Sequence, residues 1–130
     1  MKLNIDNLVF RSAAFIGVMF ISIASGSFAQ TLTIANNQSY VTSSSETYTG
    51  LSLGNSAVLT VNSGHTLTIN GSGTSNNGFG IVVQENAVLN ITGVLNGNNN
   101  ISLSISGEFI VGGIVISNNG SLSVGGLGEI

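Results

Sequence analysis

The chain has 130 residues with 18 Gly and no Cys, Pro or Trp; 42% of it is hydrophobic, only 5% is charged, and the formal net charge is −3. Lys2, Asp6 and Arg11 all lie near the start, so beyond residue 29 the only carboxylate side chains are Glu46, Glu85, Glu108 and Glu129, and the only base is His65. Such a surface has no basic field for nucleic acid or for an anionic membrane, and no disulfide can staple it.

The N-terminus reads as an export signal. Lys2 and Arg11 bracket a polar start, Ser12 to Ala24 is almost continuously apolar, and Ser27 and Ala29 place small residues at −3 and −1 before Gln30. That three-part layout predicts cleavage after Ala29 and a secreted or cell-surface product that meets the membrane only during export. A retained anchor is the alternative, but spanning takes about 20 apolar residues and this run is shorter. The rest divides into residues 30–49, an N-terminal cap or first partial coil, and residues 50–130, a repeat region.

Past Gln30 the predicted elements are short strands. Thr31-Leu32-Thr33-Ile34 alternates polar and apolar residues, as do Ala57 to Val61, Thr66 to Ile69, Ala87 to Ile91 and Ile101 to Ile105. Period-two alternation puts Leu59, Val61, Leu67, Ile69, Leu89, Ile91, Leu103 and Ile105 on one face, with Thr60, Thr68, Asn90 and Ser104 opposite. The segment from Gly50 to Val61 lies over Gly80 to Ile91 without a gap, and a third copy starts at Gly113. Three copies beginning near residues 50, 80 and 113 predict an all-β parallel β-helix, a β-solenoid, of about three coils; a small β-sandwich is the alternative. Each coil would stack on the next at about 4.8 Å. Gly and Asn would occupy the corners. Asn36, Asn37, Asn76, Asn77, Asn98, Asn99, Asn100, Asn118 and Asn119 fall between the strands, where stacked amides can form ladders.

This Gly/Asn-punctuated texture, AVLTV, HTLTI, AVLNI and SLSV, resembles the β-helix repeats of secreted bacterial surface proteins, autotransporter passengers and filamentous-haemagglutinin-type adhesins. The resemblance covers Gly50 to Val124. It implies a right-handed parallel β-helix, export, and a structural or adhesive surface role. No membrane-anchoring barrel or C-terminal sorting signal follows the repeats, so the chain is expected to be the N-terminal part of a longer protein.

Catalysis finds little purchase. Polysaccharide lyases and hydrolases built on β-helices use acidic calcium ligands with a basic residue, or clustered carboxylates; here no Asp, Lys or Arg remains after residue 29 and the four Glu are dispersed. Glu85 occupies the turn position that Asn55 and Asn118 hold in the other copies, which makes it a solvated corner. Glu108 precedes the apolar run Phe109-Ile110-Val111. His65, in the turn SGHT, has no second His, Cys or Asp to complete a metal site. No cofactor or metal is expected, and the protein is read as a non-enzyme.

The candidate site is therefore a surface. Thr31 and Thr33, Thr66 and Thr68, and Ser102 and Ser104 recur at 35 and 36 residues. If those strands stack, they form one outward file of hydroxyls, suited to a glycan or to ice. The bland reading is ordinary polar residues on exposed strands. Expected partners are a surface glycan or a ligand on a neighbouring or host cell, and a second copy of the chain. The last coil has little charge to protect its apolar edge, which predicts end-to-end association.

Overall fold

A computed structural model describes residues 30–118 and 120–130. The export signal, residues 1–29, and Asn119 lie outside the described residues.

Alternating side chains and regularly spaced turns give twelve strands that wind over three faces. The first face holds β1 (Thr31–Ile34), β4 (Gly50–Leu53), β7 (Gly73–Ser75) and the second halves of β9 (Val88–Asn98) and β11 (Glu108–Ser117). The second holds β2 (Ser39–Val41), β5 (Ala57–Val61), β8 (Phe79–Val83), β10 (Ile101–Ile105) and β12 (Leu122–Gly125). The third holds β3 (Glu46–Tyr48), β6 (Thr66–Ile69) and the first halves of β9 and β11. Every pairing is parallel. Because β9 and β11 run through the corner between the third and first faces, those faces form one seven-stranded sheet; the second face is a sheet of five.

Consecutive strands belong to different faces and pair only with strands one turn away. This is a β-solenoid of about four turns, and the β-sandwich alternative is set aside. Thr31 lies against Gly50, and the corner contact from Asn55 to Asn36 likewise spans 19 residues. Deeper in the stack Thr66 lies against Val88, and the corner contact from Asn99 to Asn77 spans 22. A turn is thus 19 to 22 residues long.

That length corrects the repeat read from the sequence. Gly50 opens a strand of the first face, Gly80 lies in a strand of the second, and Gly113 returns to the first. Thirty residues is one turn plus one more face. Gly50–Val61 and Gly80–Ile91 match because every face repeats the same strand, polar turn and strand, not because they stack.

The core follows the alternation. All eight residues predicted to point inward are buried, from Leu59 and Leu67 at 0% exposure to Leu103 at 2%. They stack in columns: Leu59, Ile81 and Leu103 behind the second face, and Leu67, Leu89 and Phe109 behind the third. Full burial of such a side chain stabilises by about 1.5–3 kcal/mol, so each added turn extends a continuous apolar core.

The three corners differ in chemistry. Between the first and second faces the chain turns through positive φ at Asn37, Ser56, Asn99 and Asn118, and between the second and third at Gly64, Asn86 and Gly126. Asn and Gly tolerate that region best. The third-to-first corner turns without it. There Gly93 packs so closely on the turn below that a Cβ would sit 2.7 Å from the Gly71 carbonyl oxygen, and one on Gly112 would sit 2.6 Å from that of Gly93.

Candidate functional site

The six residues expected to form one hydroxyl file are not brought together. Thr31 and Thr33 lie in β1 on the first face, Thr66 and Thr68 in β6 on the third, and Ser102 and Ser104 in β10 on the second. Spacings of 35 and 36 residues overshoot one turn without reaching two. The register partners are Gly50 for Thr31, Val88 for Thr66, and Gly80 and Ser123 for Ser102. A double-column lattice of the kind proposed for ice is therefore not formed by these residues.

Shorter polar files do exist, in other company. On the first face Thr33, Ser52, Thr74 and Asn96 follow one another outward across four rungs. On the third face Thr47, Thr68 and Asn90 do the same. Ser52 and Thr74 were missed because the 19- to 22-residue turn was hidden beneath the face-to-face similarity.

The Asn clusters behave as expected at the first-to-second corner. Asn99 Nδ2 donates to Asn77 Oδ1 at 2.5 Å, Asn118 Nδ2 to Asn98 Oδ1 at 2.6 Å, and Asn98 Nδ2 to the Asn76 carbonyl at 3.0 Å. Lower down, Asn36 Oδ1 accepts from the Asn55 N–H at 2.8 Å. Beside this amide ladder, on the outer surface of the second face, runs a shallow groove of about 610 Å³. Asn55, Asn77 and Asn100 form its wall, and Val58, Gly80 and Ser102 cross it from rung to rung. No ionisable side chain lines it.

The ionisable groups themselves are placed apart. Glu85 is exposed at a corner, though at the second-to-third corner and not at the one holding Asn55 and Asn118. His65 shares that corner: its Nδ1 lies 2.9 Å from Thr42 Oγ1, which also accepts from the Asn62 N–H at 3.0 Å. Thr42 is buried, so this bond is structural. Among the described residues no three His, Cys, Asp or Glu converge as a metal site would require. Glu108 and Glu129 are bridge partners on adjacent rungs, a proximity invisible from 21 residues of separation, and both side chains are exposed.

Among the described residues, a partly buried ionisable cluster in the first turn was not foreseen. Glu46 lies at an inward register position over Leu67, with Tyr40 over Leu59 and Tyr48 over Ile69. Both tyrosine hydroxyls donate to Glu46 Oε1, that of Tyr48 at 2.9 Å, and the two hydroxyls are 3.5 Å apart. Burial first, and then the bonds to Glu46 and Tyr48, push the Tyr40 phenol far above its ordinary range. Burial also dominates at Tyr48, where the Glu46 carboxylate adds to it and the Tyr40 contact opposes it; the result is pushed up to about 12. The phase of Glu46-Thr47-Tyr48 carried the signal, since an inward Tyr48 makes Glu46 inward too.

No family model matches the chain, and no curated protein or solved structure matches it.

Proposed function

We propose that this is a non-catalytic, exported β-solenoid with a structural or adhesive role at the cell surface, in the manner of the bacterial surface proteins its texture resembles. The observation that carries the reading is the pairing of a continuous apolar stack with long, nearly uncharged outer faces. Side chains such as Thr33, Ser52, Thr74 and Asn96 stand in file along one face, and Thr47, Thr68 and Asn90 along another. A stacked core of this kind is extended and regular, which suits presentation of a repeated surface. The layout of residues 12–29 supports export.

The test has two arms. N-terminal sequencing of the product recovered outside the cytoplasm is expected to start at Gln30, and beads coated with it are expected to adhere to cells or to purified envelope polysaccharide. Recovery only as an intact cytoplasmic chain would overturn export. Release of new sugar ends from a polysaccharide by the wild type, abolished by Glu85→Gln or Glu108→Gln, would overturn the non-catalytic reading.

A further inference from the structure

The groove on the second face carries a more specific reading. Its floor is set by Gly80, which stands between Val58 on the rung below and Ser102 on the rung above. Most glycines here have an evident structural reason: close backbone approach at Gly71, Gly93 and Gly112, or a positive φ at Gly64 and Gly126. Gly80 has neither. A Cβ there would meet nothing nearer than 3.9 Å, at the Ser102 carbonyl oxygen and the Val58 Cγ2, and its φ lies outside the left-handed region. A glycine within a strand weakens the strand and packs nothing. Gly113 and Gly125 are equally uncrowded, but Gly113 lies at the register shift of β11 and Gly125 ends β12, whereas Gly80 sits in a strand paired regularly on both sides, where the missing side chain opens a notch in the outer face.

The lining defines what fits the notch. Asn77 Oδ1 accepts from the Gly78 N–H and Asn99 Nδ2, and Asn100 Oδ1 accepts from Ser121, so these two carboxamides present N–H donors along one side, beside the Asn55 carboxamide and the Ser102 hydroxyl. The Ser102 and Ser104 side chains are exposed at outward positions of β10. The methyl groups of Val58 and Val82 flank the floor. With no charge in the lining, an ionic ligand gains nothing here. Amide N–H donors and serine hydroxyls beside small apolar surfaces match the hydroxyls and C–H faces of a sugar ring.

We infer that the Asn-walled groove over Gly80 binds a neutral polysaccharide strand. The inference rests on the reading of the protein as a surface binder, and it assigns that binding to one face of the three.

The test uses the purified full protein, affinity electrophoresis or pull-down against a panel of neutral polysaccharides (cellulose, chitin, mannan and a β-1,3-glucan), and two groove variants. Gly80→Ile fills the notch with a residue favoured in strands, and Ser102→Lys projects a long charged chain into it from an exposed position. At least tenfold weaker binding in both, with a thermal midpoint no lower than that of the wild type, is expected, whereas Val115→Lys, at an exposed position of the first face, should bind as the wild type does. Binding that survives both groove variants would overturn the groove and leave the surface-binder reading standing. A wild type that binds none of the panel would also overturn it; adhesion of protein-coated beads to cells would then show whether the broader reading survives. Loss of both would sink the two together.

Discussion

Among the described residues Glu46 is the one carboxylate that the fold turns inward, and the neutral hydroxyls of Tyr40 and Tyr48 make that position tolerable. A partly buried anion needs hydrogen-bond donors, and here two phenols supply them. The arrangement has a pH signature. Both phenols hold their protons more tightly in the folded chain than the usual value near 10, Tyr48 up to about 12 and Tyr40 beyond it. Their contribution to stability is therefore complete below pH 10 and is lost as the pH rises from there through the folded values. Thermal midpoints measured from pH 8 to 12 should be flat and then fall steeply above 10. Tyr48→Phe should lower stability at neutral pH by about 1 kcal/mol, the worth of a typical hydrogen bond, and flatten the alkaline fall. An unchanged alkaline slope in that variant would show that Tyr48 does not carry the effect.

At the scale of the element, what is inside was legible and what is adjacent was not. Leu59, Leu67 and Leu89 could be placed inward from alternation alone because a strand has a fixed period of two. Which strands stack depends on the length of a turn, and that length is written in the corners. Asn37, Ser56, Gly64 and Asn86 all mark corners, yet they belong to two different kinds of corner. A reading that treats every polar turn alike slides onto the wrong face, as it did for Thr31, Thr66 and Ser102. The groove was hidden for the same reason, since Gly80 meets Val58 and Ser102 only once the register is known. The columns themselves predict a gradient. Leu89 lies between Leu67 and Phe109 and is fully buried, so Leu89→Ala should cost about 2–5 kcal/mol, as large-to-small changes in a core do. Val124, at 50% exposure with no rung beyond it among the described residues, should lose less than about 1 kcal/mol on replacement by Ala. Denaturant midpoints for the two variants check the gradient; equal losses would mean that the last rung is covered in solution.

Across the whole molecule the two ends are unlike. The first turn closes over its core with Tyr40, Glu46 and Tyr48, and Leu32 and Ile34 behind them stay buried. At the other end Leu122, Val124, Leu127 and Ile130 are 41, 50, 98 and 59% exposed. Among the described residues β12 pairs on one side only, with β10, as β1, β2 and β3 do at the other end, but here the edge carries exposed apolar side chains. An apolar strand edge of this kind is a template for association. Head-to-tail stacking of copies would set the Glu46 carboxylate and its phenols against apolar side chains and strip them of water, which is costly. Two apolar ends meeting each other avoid that cost, and an interface that uses the same patch twice closes on itself. The purified chain starting at Gln30 is therefore expected to form dimers through the β12 end, and not open fibres. Sedimentation over a concentration series should show a monomer–dimer equilibrium, shifted to monomer by Leu122→Lys and by Val124→Pro and indifferent to Tyr40→Phe. Growth into fibres that Tyr40→Phe accelerates would show instead that the polar first turn is what limits head-to-tail stacking. A monomer at every concentration would mean that the apolar edge is already covered.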